Sequence, residues 1–401
     1  MAGFLHGVEV IDIDSGARPI RTVKSSVIGL VGTAPEADTE KFPLNTPVLI
    51  AGTRKAAAGL KNADTLPANE GTLPKAIDGI FDQAGALIVV IRVAEGDVES
   101  ETDTLSNIRG GVNETTGEYT GVHALLAAES VVKVTPRILI APGFTQELSV
   151  ATELEGIANR LRAVVIVDGP NTNNADAIDY SSNFGKRMYV VDPWVKAFSP
   201  GSSVETIEPA SARVAGLIAK SDNERGFWWS PSNQQILGIT GTARAIDFVM
   251  GDQNAQANLL NAGDANGASA VATIIQQNGY RLWGNRTSTN DSKWAFLSVV
   301  RTADLINDSL QRAHLWAVDR NITKTYLDDV LEGVNAYLRE LKALGAIING
   351  NAWADPELNT PTSIASGKVY IDFDFTPPYP AEHITFRSHL VNDYLLEILA
   401  A

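Results

Sequence analysis

PRILIAPGFTQELSVATELEGIANRLRAVVIVDG, residues Pro136 to Gly169, is the stretch whose reading decides the fold. It opens on a short apolar run, PRILIAP (136–142), and closes on a second, AVVIVDG (163–169). Between them, Thr145 to Arg162 reads as a helix. Strand, helix, strand is the repeating unit of a parallel sheet, because parallel neighbours need a crossover about this long. The pattern continues downstream with a strand at RMYVVDP (187–193) and a helix from Pro209 to Lys220. Upstream, SSVIGLVGTA (25–34) and ALIVVIRV (86–93) are further strands, with a helical spacing at Ala76, Ile77, Ile80, Phe81 and Ala84 between them. The alternation predicts an α/β body, α+β over the whole chain: a parallel sheet covered by helices.

The ends of the chain read differently. HGVEVIDID (6–14) alternates like a strand, with Val8 and Val10 on one side and Ile11 and Ile13 on the other. Gly16 and Pro19 then break it from the body. Residues 94–121 are polar and rich in Gly, Glu and Thr, and read as a boundary loop or exposed excursion. After them, Trp294, Leu297, Val300, Leu310, Ala313 and Ala317 roughly share a helical face. Leu327, Val330, Leu331, Val334, Leu338, Leu341 and Leu344 share another, running from a cap at Thr323 to Gly345. KVYIDFDFTP (368–377) alternates Tyr370, Asp372 and Asp374 against Ile371, Phe373 and Phe375, a half-buried strand. Pro377, Pro378 and Pro380 end it, and the last segment is extended before helical spacing begins at Leu390.

Composition narrows the function. The 401 residues carry a net charge of −15, which argues against a broad electrostatic grip on nucleic acid. With no cysteine, disulfides, thiolate metal sites and cysteine nucleophiles are excluded. No run is long enough to span a membrane, and no secretory signal is visible at the start. The phosphate-loop motif, the nucleophile-elbow motif and the HExxH zinc motif are all absent. Gly29 and Gly32 follow a strand but lack the rest of a dinucleotide fingerprint, so they read as turn glycines. His6, His123, His314, His383 and His389 have no ligand spacing. Asp372 and Asp374 read as an outward strand face, not a metal pair, and Trp228–Trp229 as packing or interface residues. No catalytic, cofactor-binding or metal-binding residue is assigned, and no cofactor is expected.

One motif stands out: NGYRLWGNRT (278–287), with Arg281 and Arg286 beside Tyr280 and Trp283 and between glycine bends. Nucleic-acid binding would need more basic neighbours, and catalysis would need a nucleophile or base. The remaining reading is structural, with arginines stacked on rings and forked onto carboxylates or carbonyls.

Several pieces together carry a family resemblance: FLHGVEVIDIDSGARPI (4–20), FPLNTPVLI (42–50), LLAAESVVKVTPRIL (125–139), NGYRLWGNRT, AHLWAVDRNIT (313–323) and GKVYIDFDFTPPYPAEHITF (367–386). In this order they resemble the tail sheath proteins of contractile-tailed bacteriophages, particularly the P2-like group, and the related sheaths of phage-tail-like bacteriocins. The resemblance implies a non-enzymatic subunit that stacks as hexameric rings around a tail tube and contracts to drive the tube through a cell envelope. Implied partners are other copies of the chain, the tail tube protein, and baseplate and tail terminator proteins, with no nucleic acid and no stable membrane insertion. The implied location is the virion tail, after assembly in the host cytoplasm. On this reading residues 1–22 form an N-terminal arm, 23–93 and 277–383 two parts of a core sheath domain, 94–276 an inserted outer α/β domain, and 384–401 a C-terminal arm. The arms, through Val8, Val10, Ile11 and Ile13 and through Ile384 and Phe386, would add strands to neighbouring subunits, while Tyr280, Arg281, Trp283 and Arg286 would brace the core. The alternatives are another α/β tail component that does not contract, or an enzyme on an α/β scaffold.

Overall fold

The computed structural model describes residues 20–62, 70–96, 101–198, 204–264 and 267–399. Strands and helices alternate through the first half: β1 (Val27–Thr33), β2 (Val48–Ala51), α1 (Leu73–Phe81), β3 (Leu87–Val93), α2 (Glu101–Arg109), β4 (Gly111–Val112), β5 (Tyr119–Thr120), α3 (Ala128–Val132), β6 (Ile138–Ile140), α4 (Leu148–Leu161), β7 (Val164–Asp168), α5 (Asn174–Ser181) and β8 (Met188–Val191). A hairpin layer follows, with β9 (Val195–Phe198), β10 (Glu205–Glu208), α6 (Ser211–Arg225), β11 (Gly241–Thr242), α7 (Gln256–Ala262), β12 (Thr273–Gln276) and β13 (Tyr280–Trp283). The C-terminal part consists of α8 (Leu297–Ala313), α9 (Lys324–Leu344), β14 (Asn349–Ala354), α10 (Pro361–Ala365) and β15 (Ile371–Thr376).

The main sheet has the order β2-β3-β1-β6-β7-β8. Five of these strands are parallel, and β2 closes one edge antiparallel to β3. The central strands are buried on both faces, as the apolar runs require. Alternate residues feed two cores. Ile28, Leu30, Ile88, Val90 and Ile166 face α1 and α6, while Val31, Ile91, Leu139, Val165 and Val167 face α4 and the 3₁₀ segment Gly121–Ala127. Gly29 and Gly32 are not turn residues. Both lie inside β1, where a Cβ at Gly29 would sit 2.9 Å from Leu125 and one at Gly32 would sit 2.4 Å from the Thr72 hydroxyl. Gly32 is bare so that α1 and its cap can approach the strand, and Gly29 so that the 3₁₀ segment can close on the opposite face.

The sheet crosses the expected domain boundaries. β1 and β3 pair with each other, and β1 pairs with β6, so residues 23–93 and the segment after 94 share one sheet. The boundary at 276/277 falls within the β12–β13 hairpin. The polar stretch 94–121 is an exposed covering: it holds α2 and the β4–β5 hairpin, with Ile108 buried in the core and Leu105 and Tyr119 packed against it.

A third core lies between α8, α9 and the β14–β15 hairpin. α9 starts with the Thr323 hydroxyl accepting from the Tyr326 amide and ends at Gly345, whose φ is 78°. Its apolar face, with Val334, Tyr337, Leu338 and Leu341, packs under Phe373 and Phe375 of β15. Ile20 is buried in this same core, and the Thr22 hydroxyl lies 2.9 Å from that of Tyr337. The last residues of the expected N-terminal arm are thus tied to their own chain. Val8, Val10, Ile11 and Ile13 lie outside the described residues.

Candidate assembly interface

α8 joins the two parts of the molecule, and it does so with charge. Its Leu297 and Val300 enter the core beneath the sheet, and its Leu305, Ile306 and Leu310 enter the C-terminal core. Arg187, just before β8, forks onto Asp304, with Nη2 to Oδ1 at 2.8 Å. Arg137, just before β6, pairs with Asp308, which also accepts from Arg312 at 2.9 Å. Arg301 donates to both oxygens of Asp222 on α6, at 2.8 and 2.5 Å. Arg137, Arg187, Arg301, Asp304 and Asp308 are all buried, whereas Arg312 is exposed. Charges this deep persist only when paired and hydrogen-bonded. The signal in the sequence is that Arg301, Asp304 and Asp308 are interleaved with Leu297, Val300, Leu305, Ile306 and Leu310 on one helix, so that burying those apolar residues brings the charges inside.

The NGYRLWGNRT motif occupies the surface next to this junction. The β12–β13 hairpin reverses at Asn278 and Gly279, with φ of 51° and 96°. Tyr280 packs on the main core and donates its hydroxyl to the Thr240 carbonyl at 2.6 Å. Arg281 donates to the carbonyls of Gln277 and Asn233, both at 2.9 Å. Trp283 meets Phe248 edge to face at 4.9 Å. Arg286 lies over the Phe296 ring, 5.2 Å from its centroid, and forks onto Glu382 with bonds of 2.8, 2.9 and 2.6 Å. Neither guanidinium is buried in the core, because each stays where its charge remains partly solvated. The four residues do not converge on one point. Tyr280 and Trp283 brace the hairpin, Arg281 locks its turn, and Arg286 holds the start of the C-terminal segment.

Beyond Glu382 the chain is bare. Residues 384–391 form no strand or helix, and a 3₁₀ segment follows at Asp393–Leu399. Ile384 is 66% exposed, Phe386 92% and Leu390 99%, and Tyr394, Leu395 and Ile398 are exposed as well. Upstream of it, β14 and β15 form a sheet that is two-stranded among the described residues. Such a row of apolar side chains facing water marks a contact surface.

The described residues are arranged differently where a small ligand would bind. Open α/β sheets bind ligands outside the carboxyl ends of their strands. Here the carboxyl end of β7 is closed by protein. Asp168 is fully buried and accepts from the Ser211 amide and hydroxyl at 2.8 and 2.6 Å, capping α6. Burial raises its carboxyl from an ordinary 3.8 to about 6, against those hydrogen bonds. A surface cleft of about 370 Å³ is lined by Lys75, Asp78, Asp82, Glu208 and Arg213, among others. Most of its charges are already paired, Arg213 with Glu208 at 2.7 Å and Arg54 with Asp82 at 2.7 Å. Among the described residues, no cluster of His, Asp and Glu could hold a metal, and no helix is long and apolar enough to cross a membrane.

An α/β body, a charged junction helix and an exposed apolar tail define a subunit built for assembly. The chain belongs to the phage tail sheath family: residues 117–288 match the phage tail sheath protein central domain and residues 289–390 the phage tail sheath C-terminal domain. It is 45% identical over 398 residues to a putative prophage major tail sheath protein of Pseudomonas aeruginosa, covering 99% of both chains. It is 37% identical over 408 residues to the tail sheath protein of Escherichia phage P2, covering 100% of this chain and 99% of that one. In fold it is similar to the contracted sheath of an extracellular contractile injection system (TM-score 0.69, 17% identity, 98% and 99% covered). It is similarly close to the contracted helical sheath of the anti-feeding prophage (TM-score 0.69, 18% identity, 98% and 100% covered). The family boundary at 288/289 falls between β13 and α8, where the two parts of the fold meet.

Proposed function

We propose that this chain polymerises with copies of itself into a contractile sheath around a tail tube, as stacked six-membered rings, and that it catalyses no reaction. The observation that carries the reading is the exposed C-terminal segment, Ile384 and Phe386 first, which follows a hairpin that among the described residues is only two-stranded. A two-stranded sheet is marginal alone, and a third strand from a neighbour satisfies backbone groups on its edge. Each added hydrogen bond contributes only ~0.5–1.5 kcal/mol net, so the contact is weak singly and strong across a lattice. The N-terminal segment through Val8, Val10, Ile11 and Ile13 makes the same kind of contact. Tube, baseplate and terminator proteins are the further partners, with assembly in the host cytoplasm before incorporation into the tail. Electron microscopy of the concentrated, purified chain tests this. Tubes or stacked rings are expected, and single particles at every concentration and salt would overturn it.

A further inference from the structure

The Arg286–Glu382 fork and the Phe296–Tyr379 contact lie on one short stretch of chain, and its stiffness gives them a consequence. Pro377, Pro378 and Pro380 follow β15 directly and restrict the backbone there. Tyr379 then meets Phe296 edge to face at 6.1 Å, and Glu382 takes the fork from Arg286. The receiving side is rigid too. Leu297 donates its amide to the Asn285 carbonyl and Thr287 donates to the Ala295 carbonyl, both at 2.8 Å, so the loop that carries Arg286 and Phe296 is closed at its base. The chain is therefore fastened at two points immediately before the exposed apolar run.

We propose that Arg286, with Phe296, is a positioning residue: it clasps the strap 377–383 and sets the direction in which the C-terminal segment leaves the body. A free segment of this length would sample a broad cone, and a neighbour would have to order it on contact. A clasped one presents Ile384 and Phe386 in a fixed direction and lowers that entropic cost. The pair is partly exposed, with side chains 31% and 38% accessible, so salt weakens the clasp without unfolding the body. This extends the sheath reading, but the geometry can be measured on the isolated chain.

The chain has no cysteine, which makes paired spin labels clean. Labels at Lys324→Cys on α9 and Ser388→Cys on the segment report their separation by pulsed electron resonance on dilute, unassembled chain. The unmodified clasp should give a narrow distribution. Arg286→Ala and Glu382→Gln should each broaden it severalfold, as should about 1 M salt, where screening reaches ~3 Å. Thermal melting should stay unchanged in both variants. An unchanged width in the variants would overturn the proposal. So would broadening accompanied by a large loss of melting temperature, which would make Arg286 a brace of the body. Failure of the parent chain to form tubes would count against the sheath reading and leave this result standing.

Discussion

At the scale of single residues, burial decides what a charge does. Asp168 caps α6 from a site without solvent, and its carboxyl is raised from 3.8 to about 6. The folded state therefore binds that proton more tightly than the unfolded chain does. The resulting stabilisation is fully present below pH 3.8 and is lost as pH rises through about 6. At ~1.4 kcal/mol per unit, the window amounts to ~3 kcal/mol. Urea unfolding of the parent chain and of Asp168→Asn across this range checks it. The difference in unfolding free energy should decline toward neutral pH, and a flat difference would remove Asp168 as the source. Arg286 is the opposite case. Its pair with Glu382 is half-open to water, so its loss should leave stability nearly unchanged.

At the scale of elements, α8 is the part on which the fold depends most. A helix that donates to two cores usually carries apolar residues alone, yet this one places Arg301, Asp304 and Asp308 inside. The strands supply the partners, since Arg137 and Arg187 stand at the amino ends of β6 and β8. Arg187→Ala leaves Asp304 buried without its counter-charge and should cost about 3–5 kcal/mol. The double change Arg187→Met with Asp304→Leu should recover most of that, because apolar replacement of both partners removes the desolvation cost. Urea unfolding of the three variants decides it. A loss under ~1 kcal/mol for Arg187→Ala would mean that water reaches the pair.

At the scale of the whole molecule, the body and the C-terminal segment are separable. The described residues beyond Glu382 are exposed, so removing 384–401 should leave cooperative unfolding and the melting temperature intact. Under the proposed strand exchange it should abolish tube formation, and mixing truncated with full-length chain should shorten the tubes, because each truncated subunit would leave a neighbour's sheet edge unpaired. Melting and microscopy of the truncated chain test both halves. A large fall in melting temperature would make the segment part of its own core, and normal tubes would make it dispensable.

Some of this was legible without coordinates, because it depends on neighbours a few positions apart. The apolar runs at 136–142, 163–169 and 187–193, with a helix between the first two, specify parallel strands in a two-faced sheet. The α9 helix was readable from its cap at Thr323, its periodicity and its stop at Gly345, all of them local. The tertiary structure alone decided who meets whom. That β1 sits between β3 and β6 makes residues on both sides of position 94 one sheet, whereas the polar composition there read as a boundary. Gly29 and Gly32 took their role from the side chains that come to cover them. Arg286 carried an obvious charge, but its partner lies 96 positions away, and Arg187 finds Asp304 at a distance of 117. A charge in a sequence requires a partner or water, and only the folded path of the chain brings one of the two to it.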